Sequence, residues 1–251
     1  MIEALTARRP TPTRVALVVA HPDDETIAAG ASLQLLSHLL LIHVTDGAPR
    51  TGPDAQAAGF ATPAAYAAAR HAELAAALAL SQATPACVTL AIPDQEASLD
   101  MRSLAHRLAT LFQTHQIETV LTHAYEGGHP DHDATAWAVH QAARCPILEF
   151  PGYHAAPDGA LVTGQFLPGP LATAIPLTAA EQAQKIAMLA CFKTQATILA
   201  AFGTGTERFR PAPAYDFARP PHPGTLNYEH WGWDMTGDRW RTLAQAARCA
   251  A

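Results

Sequence analysis

After a polar opening, the chain turns apolar at Val15, and the run to Ala20 is the first of five. Leu39 to Thr45, Val88 to Ile92, Thr119 to His123 and Ile147 to Phe150 follow it. Short continuous apolar runs bounded by turn residues read as buried strands. The alanine-rich stretches between them predict helices over Asp24 to Ser37, Pro63 to Leu80, Leu99 to His115 and His132 to Ala143. The segment at 178–203, TAAEQAQKIAMLACFKTQATILAAFG, reads as one long helix, opened by a capping box of Thr178 and Glu181 and closed at Gly203. Strands alternating with helices predict an α/β fold, Rossmann-like, with a mostly parallel sheet flanked by helices in three layers. The stretches at 151–177 and 203–237 are dense in Pro, Gly and aromatics and read as ordered loops over the sheet. No repeat or linker divides the chain. One domain is expected over 1–251, with a core at about 14–203 and an aromatic-rich tail at 204–251 packed on it.

Composition adds exclusions. A chain of 251 residues, 49% hydrophobic and 15% charged, buries enough surface to fold without disulfides or structural metal, so any metal is functional. Cys87, Cys145, Cys191 and Cys249 are widely spaced with no C-x-x-C, which argues against a zinc knuckle or a disulfide framework and fits a reducing, cytoplasmic setting. The opening segment lacks an apolar core of the signal-peptide kind, and no run approaches a membrane span. A net charge of −6 with no basic cluster excludes a nucleic-acid partner.

In a parallel α/β sheet, ligands bind at the carboxyl ends of the strands. The first strand ends in VVAHPDDETIAAG, 18–30, where a nucleotide-binding protein carries glycines for phosphate. Carboxylates there suit a cation instead. His21 and Asp24, three apart across a strand-to-helix turn, converge on one point with the nitrogen and oxygen donors of a Zn²⁺ or other divalent site. The strand ending at His123 repeats the pattern in HAYEGGHPDHDAT, 123–135, and His132 closes a three-ligand set that leaves a position for water. Asp23 and His129 then stand beside the metal as proton acceptor and oxyanion stabiliser. His123 is expected to pack near the site without ligating. His38, His71, His106, His115 and His140 fall on presumed helices, face solvent and carry no role.

AHPDDE at 20–25 together with HPDH at 129–132 resembles the PIG-L / LmbE-like family of zinc-dependent deacetylases, which remove the N-acetyl group from N-acetylglucosamine-containing conjugates. TDGA at 45–48 and RHAE at 70–73 extend the likeness, which is clear over about 14–145. The resemblance implies His21, Asp24 and His132 as ligands of Zn²⁺, Asp23 as general base and His129 as the oxyanion-stabilising or acid group. It also implies that Asp131 orients His129 and that Arg70 lies near the site. Gly127 and Gly128 depart from the aromatic residue that some relatives carry just before the second motif, with Tyr125 further back.

The expected activity is removal of an N-acetyl group from an N-acetylated amino sugar or a small-molecule conjugate of one. Hydrolysis of another N-acyl amide or ester, and a non-catalytic sugar-binding relative, are the alternatives. Trp231, Trp233 and Trp240 in the tail admit two readings, a wall of the substrate cleft or aromatic packing.

Overall fold

The computed structural model describes residues 1–249; Ala250, Ala251 and the side chain of Cys249 lie outside the described residues. A short helix α1 (Ile2–Thr6) leads into β1 (Thr11–Val19), α2 (Asp24–Ala29) and β2 (Leu36–Pro49). Then come α3 (Pro53–Ala57), α4 (Pro63–Leu80), β3 (Ala86–Asp94), α5 (Met101–Thr114), β4 (Thr119–His123), α6 (Pro130–Ala142) and β5 (Ile147–Phe150). The later part holds the hairpin β6 (Tyr153–Ala155) and β7 (Leu161–Thr163), then β8 (Thr173–Pro176), α7 (Ala179–Leu189), α8 (Ala196–Leu199), β9 (Thr206–Pro211), α9 (Asn227–His230) and α10 (Gly237–Cys249).

The main sheet runs β3-β2-β1-β4-β5-β9-β8. The first five strands are parallel, with Val15 facing Leu39 on one side and Thr119 on the other. Alternation along β1 sorts its side chains between two cores. Val15, Leu17 and Val19 pack beneath one face with Leu74, Ala77, Met188 and Phe192, while Ala16 and Val18 face Leu104, Leu108 and Trp137. Both faces are covered, which is why the strands read as unbroken apolar runs. The chain leaves β1 toward β2 on one side and later enters β4 on the other, so the strand order reverses between β1 and β4. That switch point is where an open α/β sheet presents its crevice.

Three expectations are corrected. The helix expected over Asp24 to Ser37 stops at Ala29, and a 3-10 turn at Leu33–Leu35 feeds directly into β2. Gly30 stands at its end, and a buried ion pair from distant sequence holds the exit. Lys185 Nζ donates to the Ile27 carbonyl at 2.7 Å and to Glu207 at 3.1 Å, while Glu207 accepts from the Ala31 N–H at 2.9 Å and the Ser32 hydroxyl at 2.5 Å. The helix expected over 178–203 does open on the Thr178/Glu181 capping box, but it breaks after Leu189. Phe192 is drawn into the core, and the Glu73 carboxylate captures the Thr194 N–H at 3.0 Å and its hydroxyl at 2.6 Å. Finally, β8 and β9, from stretches read as loop and tail, join the sheet antiparallel beyond β5. The sheet thus begins before residue 14 and continues past 203. The tail beyond it packs through α10 against α5 and α6.

Candidate metal centre

The carboxyl ends of β1 and β4 bring the two histidine motifs face to face. Donor atoms of His21, Asp24 and His132 lie within 4.8 Å of one another. His21 Nδ1 is 3.2 Å from His132 Nε2 and 3.3 Å from Asp24 Oδ2, and Asp24 Oδ1 is 3.4 Å from His132 Nε2. Two imidazole nitrogens and a carboxylate converging on one point, all buried, match the donor set of a divalent transition-metal site. The other nitrogen of His21 faces Asp94 at 3.1 Å and Asp131 at 3.4 Å, the carboxylate support that orients a ligating histidine. His21, Asp94, His129 and Asp131 form a second convergent group. There the Asp131 oxygens already accept from the Gln95 and Ala97 N–H groups at 2.6 and 3.0 Å.

Asp23 sits at the N-terminus of α2 with φ of 124°, a conformation an L-residue adopts only when its surroundings hold it there. Glu25 supplies one restraint, accepting from the Asp23 N–H at 3.0 Å while His43 contacts the same oxygen at 3.1 Å. Arg70 supplies another, with Nη2 donating to the Asp23 carboxylate and to the Pro22 carbonyl, each at 2.9 Å. The guanidinium is seated in turn by the Gly47 carbonyl at 2.5 Å. Gly47 has φ of +71°, and a Cβ there would stand 2.6 Å from Arg70 Nη1, so TDGA and RHAE are two halves of one support.

Asp131 does not act on His129 as expected. Its carboxylate points to His21, and it is the Asp131 backbone N–H that donates to His129 Nδ1 at 3.1 Å. This places the imidazole proton on Nε2, which faces Asp94 at 3.5 Å. His123 Nε2 accepts from the Ala20 N–H at 3.0 Å and its ring stacks on His132 at 4.0 Å, beside the donor set.

Burial pushes the Asp23 carboxyl up to about 8, with Arg70 acting against the rise and Asp24 and Glu25 adding to it. Asp24 lies well below the carboxylate range, because His132 and His123 outweigh its burial. Burial and the neighbouring His21 hold His129 well below the usual imidazole value, so it is a neutral donor. Burial would lower His21 too, yet Asp94, Asp131 and Asp24 raise it well above the ordinary value.

Three residues of this floor were missed: Asp94, Glu25 as a support, and Tyr153. Asp94 stands at the carboxyl end of β3, and the strand-end rule that found the other two motifs applies to it equally. Tyr153 reaches the site because a Cβ on Gly128 would lie 1.9 Å from the Tyr153 carbonyl oxygen. Glycine at 128 thus lets another chain segment put a tyrosine ring 5.2 Å from that of His132. Tyr125 is instead stacked on Trp240 in the core and donates to the Arg219 carbonyl. His38, His71, His106 and His115 are exposed, but His140 is half-buried against Tyr215 and Phe217. The tryptophans divide. Trp240 is buried, with its indole N–H on the Pro130 carbonyl, whereas Trp231 and Trp233 line the cleft of about 350 Å³ over the donor triad.

The PIG-L family model, described as GlcNAc-PI de-N-acetylase, matches residues 16–143, the span that holds every motif above. The chain belongs to the PIG-L family. Solved structures share the PIG-L fold. A triple mutant of a deacetylase from the teicoplanin biosynthetic pathway is 21% identical, with a TM-score of 0.63 over 81% of this chain and 99% of that one. The N,N'-diacetylchitobiose deacetylase from Pyrococcus horikoshii is 18% identical, with a TM-score of 0.58 over 80% and 85%. A 4-carboxy-2-hydroxymuconate hydratase from Pseudomonas putida is 18% identical, with a TM-score of 0.55 over 81% and 99%, so the fold also hosts other chemistry. No curated protein matches the chain in sequence. Among the described residues no helix is long and apolar enough to cross a membrane.

Proposed function

We propose that this PIG-L protein is a zinc-dependent N-deacetylase acting on an N-acetylated amino sugar or a small conjugate of one, in the cytoplasm. The observation that carries the reading is a donor triad, a restrained carboxylate and a neutral imidazole donor on one cleft floor. His21, Asp24 and His132 would hold the ion, and a divalent cation so bound acidifies a water molecule to near neutrality and polarises an acyl carbonyl. Asp23 takes the proton of the attacking water, and Arg70 with Glu25 keeps its carboxylate aimed at the cleft. His129 donates from Nε2 to the negative charge that develops on the acyl oxygen, and the Asp131 N–H on its Nδ1 holds the ring for that role. Being neutral, His129 has no surplus proton for the departing amine, so Asp23 returns the proton it accepted.

The test is a deacetylation screen of the zinc-loaded protein against N-acetylglucosaminyl inositols, malates, lipids and peptides, read by released acetate and free amine. Replacing His21, Asp24 or His132 by alanine should strip zinc under mild chelation while the fold survives, whereas His123→Ala should keep it. Full zinc in His132→Ala would overturn the ligand set. Turnover of none of the acetylated sugars would overturn the substrate class.

A further inference from the structure

The cleft is lined by two chemistries that divide by chain segment. Around the donor triad stand Asp54, Arg70, Asp94 and Gln95, all polar. The stretch at 194–202 begins with Thr194, Gln195 and Thr197 and then brings Ile198, Leu199 and Phe202, which with Trp231, Trp233 and Ile27 make an apolar wall. Two of these are large apolar side chains left open to solvent, Ile198 at 53% and Trp231 at 43% exposure. Exposed apolar surface rimming a polar pocket marks a surface meant to be covered.

This wall is held in place. The segment carrying Ile198 is pinned at its start by the bonds from Thr194 to Glu73 and by Gln195, whose amide donates to the Tyr66 hydroxyl at 2.6 Å. Trp231 leans on Trp233 at 5.1 Å and on Tyr153 at 5.8 Å, and Trp233 meets His129 edge-on at 4.9 Å. None of these apolar side chains has a part in hydrolysis. An indole alone would suit the face of a sugar ring, but Ile27, Ile198 and Leu199 offer no hydrogen bond to the hydroxyls at its edge, and Thr194 and Gln195 on the same wall spend theirs on Glu73 and Tyr66, which leaves Thr197 beside the apolar surface.

We propose that the cleft takes an N-acylated amine carrying an apolar substituent, aryl or alkyl, which seats against Trp231 and Ile198 while the polar body faces the acidic floor. The inference rests on the deacetylase reading for its reaction, not for its binding. The substituent belongs either to the aglycone or to the acyl group, and two probes separate these. Phenyl N-acetylglucosaminide carries it on the aglycone, methyl N-butanoylglucosaminide carries it on the acyl group, and methyl N-acetylglucosaminide is the reference.

With zinc-loaded protein, one substituted probe should exceed the reference by about tenfold in kcat/KM, the scale of burying the two methylenes that butanoyl adds to acetyl. It should also bind more tightly by calorimetry and quench tryptophan fluorescence at lower concentration. In Trp231→Ala and Ile198→Ser, both at exposed positions, the ratio of substituted probe to reference should fall toward one with melting unchanged. A substituted probe that binds tightly in a Trp231-dependent way, with no probe hydrolysed, would sink the deacetylase reading and support the apolar seat. Equal binding and equal turnover of all three probes would overturn the seat itself.

Discussion

Asp23 and Asp24 are neighbours of one type with opposite electrostatics. Burial pushes Asp23 up to about 8, and two imidazoles hold Asp24 far below the usual range. The same contrast divides their proposed chemistry, since a carboxylate between His21 and His132 suits a ligand and one whose pKa lies near neutrality suits a base. Asp24→Asn should therefore lose zinc, measured by elemental analysis. Asp23→Asn should keep its zinc and lose about 10²–10⁴-fold in kcat. A base works only when ionised, so kcat/KM is present above the Asp23 pKa and lost as pH falls through it. A cation at the donor triad moves that limb below 8, and the limb should flatten in Asp23→Asn. Wild-type turnover in that variant would exclude Asp23 as the base. Both aspartates were legible in the sequence because HPDD is a local pattern. The glutamate after them was not, because its bond to the Asp23 N–H depends on a backbone twist that no residue identity announces.

Elements end where distant residues stop them. Helix α2 meets Gly30 at its end, a local stop signal, and there Lys185 takes the Ile27 carbonyl in its last turn while Glu207 takes the Ala31 N–H beyond it. Both charges are buried, from α7 and β9. Lys185→Met leaves Glu207 unpaired in the core and should cost about 3–5 kcal/mol in denaturant unfolding. Adding Glu207→Gln should recover a large part of that, since no uncompensated charge remains. Equal losses in the single and double variants would show that packing, not charge, holds this junction. The break in 178–203 has the same character, for Glu73 lies more than a hundred residues before the Thr194 it captures. What could be read locally at both places was the start of the helix, through Thr178 and its Glu181 partner in the second case.

Beneath the site as a whole lies a layer of buried acids. Glu126 is driven up to about 8 by burial, against the single N–H of Gly152 it accepts at 2.8 Å, with Glu149 and Asp133 adding to the rise. In the unfolded chain it titrates near 4.3. A group whose pKa is higher in the folded protein lends stability that is complete below its unfolded value and lost as pH rises through its folded one. Denaturant unfolding at constant zinc should therefore show stability falling between about pH 5 and 8, and Glu126→Gln should make that fall shallower. Parallel curves would mean that Glu126 ionises freely in the fold. The sequence by itself determined the parallel strands and set the two histidine motifs at their ends, because strand periodicity and turn chemistry are settled within a few adjacent residues. Only the tertiary structure decided where α7 stops, that β9 and β8 complete the sheet, that Asp131 supports His21, and that Trp231 faces the cleft while Trp240 fills the core. Each of those outcomes depends on a contact between residues far apart in the chain, and such contacts exist only once packing has brought the segments together.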